Sequence, residues 1–212
     1  MKTDSQAGKA YSELRKKILT NQLRPGIRLK EDLWSKNTGV SRMAVREALT
    51  RLLGEGLVVQ GTKAGYYIKP MTKEDVVELR ELREVLEIGA LKMLHKKISA
   101  EQIQKLEQIC DDFTNMVKLG YFSGACEADM KFHETLIELS GNKKLLTTYR
   151  TSHIPLFHQK LAKTQENLND YEQTDKEHRA LVKAIKAKDY SLAEQTLIKH
   201  FMRGESAILD LE

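Results

Sequence analysis

Histidines are the side chains in this sequence best suited to bind a metal or to transfer a proton. The six are His95, His133, His153, His158, His178 and His200. Asp129 and His133 are four residues apart, so on a helix a carboxylate and an imidazole would lie on one face. With two more imidazoles from other helices, this pair could bind a divalent transition metal and leave coordination positions open. Spacing alone does not favour His178 and His200 over His153 and His158. For each of these histidines, the alternative is a core residue whose hydrogen bonds are satisfied within the protein.

A second group of reactive side chains lies near the N-terminus, at Ser41, Arg42 and Arg46. The two arginines are one helical turn apart, so they would point the same way. Each could donate two hydrogen bonds to a guanine edge or bind a phosphate. Ser41 occupies an N-cap position, and the free N–H groups of a helix start also suit a phosphate. The alternative is that both arginines are solvated or paired with Glu47 and Glu55.

The elements around these arginines form a recognisable order. Apolar spacing and turn residues predict helices over Lys9–Asn21, Glu31–Asn37 and Met43–Leu53, a tight turn at Gly39, and a hairpin of Leu57–Gln60 with Tyr66–Ile68. This order predicts a winged helix-turn-helix over residues 1–70, in which the third helix enters the major groove of DNA. Residues 1–70 also contain 14 Lys and Arg against 6 Asp and Glu, as expected for a nucleic-acid-binding domain.

After a short linker at residues 71–72, the rest of the chain is predicted to be helical. The remaining 142 positions contain 21 basic and 24 acidic residues. Predicted helices span residues 73–95, 99–118, 121–139, 143–161, 171–187 and 190–209, with Asn142 and Asp189 as helix caps. Short connections predict an antiparallel all-helical bundle over residues 73–212. The fold class is therefore mostly α, with a winged helix-turn-helix followed by a helical bundle.

Several classes of protein are disfavoured. No apolar run approaches the roughly 18 residues of a membrane span, and the N-terminus lacks a secretory pattern. Cys110 and Cys126 are too few for a disulfide framework, so we expect a cytoplasmic protein. His133 and Glu134 begin like a zinc hydrolase motif, but Ile137 occupies the position of its second histidine. With no nucleophile–base pair either, we expect no enzymatic activity.

The N-terminal motifs resemble the DNA-binding domain of the GntR family of bacterial transcriptional regulators. The resemblance covers residues 9–69 and includes LRPGIRLKE from Leu23, GVSRMAVREAL from Gly39 and LGEGLV from Leu53. It implies that Ser41, Arg42, Arg46 and the wing residue Gly65 contact DNA. Met43 and Ala44 replace the Thr-Pro or Thr-Thr of many members, so apolar base contacts are expected there. Asp32 stands where some members have an arginine.

The helical region resembles the ligand domain of the FadR subfamily within that family, over about residues 73–205. The resemblance rests on LREVLE from Leu82, DMKFH from Asp129, SGN from Ser140, EHRAL from Glu177, and His200. It implies that Asp129, His133, His178 and His200 bind one divalent transition metal per chain, namely zinc, nickel or manganese. It also implies a small organic acid as effector, bound to the metal by its carboxylate. Arg83 would bind that carboxylate, with an ion pair to Glu87 or Glu84 as the alternative.

These expectations combine into one functional hypothesis. The protein would be a ligand-responsive homodimer on a palindromic operator in double-stranded DNA, a repressor that the effector releases. Two other functions stay open at this point. One is a metal-dependent helical-bundle enzyme, and the other is a DNA-binding dimer that responds to no effector.

Overall fold

The computed structural model describes residues 5–19, 22–61, 65–70, 72–94, 97–152, 154 and 168–209. The chain divides into two compact units, Met1–Thr72 and Lys73–Glu212. None of the described helices is long and apolar enough to cross a membrane.

The N-terminal unit is a winged helix-turn-helix. Its elements are α1 (Gln6–Leu19), β1 (Arg28–Leu29), α2 (Glu31–Thr38), α3 (Arg42–Gly54), β2 (Val58–Gly61) and β3 (Gly65–Ile68). Helices α1 and α2 both pack against α3, and their shared core includes Leu14, Ile18, Trp34, Val45 and Leu49. The apolar side of each helix therefore faces the other two, which leaves the N-terminal turn of α3 at the surface.

The turn between α2 and α3 takes the predicted form. Gly39 has φ +65°, a left-handed conformation that a side chain would strain. Ser41 is the N-cap of α3, and its hydroxyl accepts a hydrogen bond from the Ala44 N–H at 3.2 Å. These two residues fix where α3 begins and which side chains its first turn presents.

The wing differs from the predicted two-stranded hairpin, because the sheet has three antiparallel strands in the order β1-β3-β2. Arg28 pairs with Tyr67 and Leu29 with Tyr66. A two-residue strand is too short for an alternating pattern, so the sequence gives no signal for it. The first helix also begins earlier than predicted, at Gln6, where the Ser5 hydroxyl accepts from the Gly8 N–H. Leu19 is its last described residue.

The C-terminal unit is a helical bundle. Its helices are α4 (Lys73–Leu94), α5 (Ala100–Lys118), α6 (Phe122–Leu139), α7 (Lys143–Thr151), α8 (Leu168–Lys186) and α9 (Tyr190–Leu209). Helix α6 packs against α4, α5 and α7, while α9 packs against α4 and α8. The main core cluster includes Leu91, Leu106, Phe132, Leu136, Leu181, Ile185, Leu197 and Phe201. The inward faces of α4, α6, α8 and α9 thus share one interior.

Side-chain caps set several helix starts in this unit. Ser99 and Gln102 form a capping box at α5. Asn142 caps α7 by accepting from the N–H groups of Lys144 and Leu145, as the sequence predicts. At the start of α9, Asp189 accepts from the Leu192 N–H at 3.0 Å, which is also the predicted cap.

The fourth predicted helix of the bundle, residues 143–161, is wrong in extent. Helix α7 ends at Thr151, and Ser152 has ψ 157°, an extended conformation. The hydroxyl of Ser152 donates to the Tyr149 carbonyl and that of Thr151 to the Thr147 carbonyl, so side chains satisfy the carbonyls that end the helix. Ile154 is helical again, so the predicted helix is interrupted at Ser152. Residues 155–161 lie outside the described ranges.

Candidate metal centre and nucleic-acid interface

Four buried side chains converge in the C-terminal unit. Asp129 and His133 lie one turn apart on α6, His178 lies on α8 and His200 on α9, and one ligand atom from each lies within 4.8 Å of the others. The structure therefore brings together all four side chains predicted to bind a metal. The other candidates, His95, His153 and His158, lie outside the described residues.

The distances within this cluster match a donor set around one ion. The Nε2 atoms of His133 and His200 are 3.2 Å apart. Asp129 Oδ1 lies 3.3 Å from His178 Nε2 and 3.7 Å from His133 Nε2. Two ligands held about 2.1 Å from an ion at a right angle lie about 3 Å apart, so the spacing suits a transition metal.

Two glutamate carboxylates lie beside Nδ1 of two of the histidine rings. Glu87 Oε2 lies 2.7 Å from Nδ1 of His133, and Glu177 Oε2 lies 2.7 Å from Nδ1 of His200. An ionised carboxylate only accepts hydrogen bonds, so the proton lies on Nδ1 of each ring and each Nε2 faces the cluster. A carboxylate behind a ligating imidazole is the usual support of a metal site, since it fixes the ring and its tautomer.

Protonation in the cluster follows from burial and from these partners. Burial lowers the pKa of His178 well below its ordinary value, and His200 lowers it further whenever it is protonated. Burial also lowers the pKa of His200. For His133, burial acts in the same direction, but the Glu87 and Asp129 carboxylates together outweigh it and raise the pKa. Neutral imidazoles are the form that binds a metal, so His178 and His200 are already in that form at neutral pH.

The interior also contains an arginine that is only 1 % exposed. Arg83 donates from Nε to Glu87 at 3.2 Å. Its guanidinium carbon lies 4.4 Å from the centre of the Phe201 ring. Of the two ion pairs considered from the sequence, the structure contains the one with Glu87, while Glu84 pairs with Arg80. Arg83 therefore lies behind His133, linked to it through Glu87, and its role toward an effector stays a prediction.

Sequence reasoning missed four residues around the cluster. Glu87 and Glu177 were not assigned to the histidines, although a glutamate on an otherwise apolar helix face and one directly before His178 were available signals. Arg203 donates two hydrogen bonds to Glu177 and so holds that carboxylate in place. Tyr149 is the buried residue of α7, and its hydroxyl has no hydrogen-bond partner within the described ranges.

The N-terminal unit presents Arg42 and Arg46 at the surface, with side chains 68 % and 56 % exposed. Neither is paired as the sequence suggested. Arg42 Nε lies 2.6 Å from Asp32 Oδ1. Arg46 donates from Nε and Nη2 to the two oxygens of Glu31, both at 2.9 Å. The Arg46 hydrogen bonds lower the pKa of Glu31. Both partners lie in the first turn of α2, so the spacing of residues along α3 could not predict these ion pairs.

A groove of about 820 Å³ joins α2, the start of α3 and the wing. Its lining includes both arginines and Gly65, with Arg28 and Lys30 adding positive charge. The remaining predicted DNA contacts line a neighbouring concavity. In it, Met43 is 69 % exposed, whereas Ala44 is buried beside Ser41. The predicted DNA-binding residues thus lie on one surface of the unit.

Both units match protein families. Residues 6–68 match the bacterial regulatory proteins of the gntR family. Residues 78–203 match the FCD domain. The first match covers the winged helix-turn-helix, and the second covers the helices that hold the four-residue cluster.

Individual proteins are similar over nearly the whole chain. An HTH-type transcriptional regulator from an unstable DNA locus of Streptomyces ambofaciens is 30% identical over 191 residues, which are 90% of this chain and 79% of that protein. The gluconate operon transcriptional repressor of Bacillus licheniformis is 25% identical over 94% of this chain and 83% of its own length. Among solved structures, McbR/YncC of E. coli has a TM-score of 0.85 with 17% identity, covering 98% of each chain, and so shares the fold.

Proposed function

The chain belongs to the GntR family of bacterial regulatory proteins and carries an FCD domain, and from that premise we propose how this transcriptional regulator works. The winged helix-turn-helix of residues 1–70 binds operator DNA. The helical unit from residue 73 onward binds a small carboxylate effector at a divalent metal ion and forms the homodimer. The effector releases the protein from its operator, so the protein acts as a repressor.

The buried Asp129, His133, His178 and His200 cluster is the observation that supports this proposal most directly. Three imidazoles and one carboxylate suit zinc, nickel or manganese. Such an ion would offer open coordination positions to the carboxylate of an effector. The Glu87 and Glu177 hydrogen bonds favour a metal site over a simple core, because they direct each Nε2 inward, where His133 and His200 face each other at 3.2 Å.

Arg83 and Tyr149 are the chain's own candidates for the rest of the effector. The Arg83 guanidinium is held by Glu87, so an effector carboxylate would share it with that side chain. The Tyr149 hydroxyl is buried and without a partner in the part of the chain that the structure describes. Burial raises its pKa well above 10, so it remains a hydrogen-bond donor at neutral pH.

On the DNA side, Arg42 and Arg46 read base edges or bind phosphates, and Ser41, Met43, Ala44 and Gly65 complete the contact surface. Two copies related by a two-fold axis would read a palindromic operator. Effector and DNA are thermodynamically linked, so an effector that weakens DNA binding is itself bound more weakly in the DNA complex.

The metal content of the purified protein tests the proposal first. We expect about one transition metal ion per chain in the wild type and almost none in His178→Ala, because a buried site that loses one of four ligands binds weakly. Glu138→Gln is the control, since it removes an exposed carboxylate from α6, the helix that carries Asp129 and His133. The metal-loaded protein is then mixed with operator DNA and a panel of small carboxylates, one of which should lower the DNA affinity.

Other results would favour the other functions. If the wild type binds none of zinc, nickel and manganese, the four side chains are ordinary core residues and the effector site lies elsewhere. If it binds metal but no carboxylate changes DNA affinity, the protein is a constitutive DNA-binding dimer. Both matched families are those of transcriptional regulators, and no observation favours the enzyme.

A further inference from the structure

The two arginines assigned to DNA are each held by a carboxylate from the preceding helix. Glu31 and Asp32 are consecutive in the first turn of α2, and they face the first turns of α3 across the groove. Glu31 binds Arg46 through two hydrogen bonds, and Asp32 binds Arg42 through one contact of 2.6 Å. The positive charges of Arg42 and Arg46 are therefore neutralised locally before DNA arrives.

These pairs lie at the surface, where ion pairs are weak. The Asp32 side chain is 61 % exposed and the Arg42 side chain 68 %. Such pairs contribute little to stability because water and salt screen them. A DNA phosphate can therefore take the place of Asp32, but it must first displace that carboxylate and then lie close to its negative charge. Glu31 is only 24 % exposed and accepts two hydrogen bonds from Arg46, so it is harder to displace.

We propose that Glu31 and Asp32 are specificity-determining residues, which act through Arg46 and Arg42 to oppose binding to DNA of arbitrary sequence. The inference rests on the proposed function, in that it takes these arginines to contact DNA. Non-specific binding comes almost entirely from phosphate neutralisation by Lys and Arg. A carboxylate that already neutralises an arginine removes much of that attraction and repels the phosphate.

The two carboxylates weaken binding to the correct operator less than they weaken binding to DNA of arbitrary sequence. The guanine edge in the major groove presents two neutral acceptors, so a guanine does not need an unneutralised charge. A guanidinium has five N–H donors in a planar fork. Asp32 engages Nε of Arg42, so a guanine and the carboxylate can bind different edges of the same group. The carboxylate then also fixes the orientation in which the arginine meets the base.

Asp32→Asn tests the inference, because it removes the charge and keeps the shape. The DNA probes are a duplex of mixed sequence and the duplex that the wild type selects from a random pool, each titrated over a salt series. We expect the variant to bind the mixed-sequence duplex up to about five-fold more tightly. We expect its plot of log affinity against log salt to steepen by about 0.9, the slope of one further phosphate contact. The ratio of selected to mixed-sequence affinity should fall.

Two comparisons separate this mechanism from a general effect of charge. Glu47→Gln removes the same charge from the exposed face of α3 itself, and it should leave the salt slope close to that of the wild type. In an Arg42→Ala background, Asp32→Asn should have no further effect, because the residue through which it acts is gone. Glu31→Gln should change mixed-sequence binding in the same direction, through Arg46.

Several results would overturn the inference. An unchanged affinity ratio and salt slope in Asp32→Asn would do so, as would an equal effect in the Arg42→Ala background or in Glu47→Gln. Those outcomes leave the proposed function standing, because the wild type still selects a duplex. If the wild type binds no duplex at all, the proposed DNA-binding function is wrong, and this inference fails with it.

Discussion

The two units use the same chemical pairing in opposite surroundings. In the N-terminal unit, carboxylates from α2 hold Arg42 and Arg46 at the surface. In the C-terminal unit, carboxylates hold His133 and His200 in the interior. In each case the carboxylate orients a nitrogen-bearing side chain, and the difference is how much water reaches the pair.

Exposure decides what each pairing can do. A pair in water contributes up to about 1 kcal/mol, so it can exchange its partner for a DNA group. A buried pair is costly to form and more costly to leave half-formed, so it fixes one geometry. Glu87 is fully buried, and its pKa is lowered by His133 and Arg83 even though burial acts in the opposite direction. The surface pairs therefore suit reversible recognition, and the buried pairs suit a rigid ligand set.

The largest effect is expected from Glu87→Ala, which removes the carboxylate between Arg83 and His133. It removes a charged acceptor from the side of a guanidinium that is only 1 % exposed. Breaking a buried pair in this way costs about 3–5 kcal/mol in the free energy of unfolding. The measurement is urea denaturation of chelator-treated protein followed by far-UV circular dichroism, so that metal loss does not contribute.

The sequence contains one tryptophan, Trp34, and it is buried in α2. Its fluorescence therefore reports unfolding of the N-terminal unit. Glu87→Ala should shift the main dichroism transition and leave the Trp34 transition in place. Glu134→Ala, which breaks a half-exposed pair with Arg150, is the control and should change stability by less than about 1 kcal/mol. Equal stability of the Glu87 and Glu134 variants would contradict the distinction between buried and exposed pairs.

A smaller effect, on metal affinity, is expected when the hydrogen bond between His200 and Glu177 is weakened. Glu177 accepts from Nδ1 of that ring and is held by Arg203. Glu177→Gln keeps the shape of the side chain but replaces a charged acceptor. Loss of such an outer partner lowers metal affinity about 10–100-fold, and competition with a chelator of known affinity measures it.

Glu138→Gln on α6 is the matched control for this experiment, because that carboxylate pairs with Lys105 at the surface. Its metal affinity should equal that of the wild type. If Glu177→Gln also retains wild-type affinity, the hydrogen bond to His200 holds the core together and does not position a ligand.

The sequence predicts the fold well where local signals are strong. Gly39, Ser41, Asn142 and Asp189 each set a turn or a helix start through their own side chain or conformation, so their effects are readable in a few consecutive residues. Strand β1 and the end of α7 depend instead on weak or competing signals. Strand β1 has only two residues and forms because it pairs with β3. Helix α7 ends where serine and threonine hydroxyls donate hydrogen bonds to its last carbonyls.

The candidate metal site divides in the same way. The pair Asp129 and His133 is visible in the sequence, since four residues on a helix set both side chains on one face. His178 and His200 could not be selected by spacing, because the rotation of α8 and α9 depends on packing across the bundle; the family resemblance supplied them. The partner of His133 lies 46 residues away on α4, and only the tertiary fold brings it there. The carboxylates on Arg42 and Arg46 were missed for the same reason.

The smallest effect is expected from Asp32→Asn on stability. The Arg42–Asp32 pair is short but exposed on both sides, and its loss leaves both groups hydrated. The free energy of unfolding of the N-terminal unit, followed by Trp34 fluorescence, should change by less than about 0.5 kcal/mol. A loss of several kcal/mol would mean that the pair holds α2 against α3, and the surface pairing would then be structural like the one at Glu87. A small change beside a clear effect on DNA binding would show that the surface carboxylates act on recognition alone.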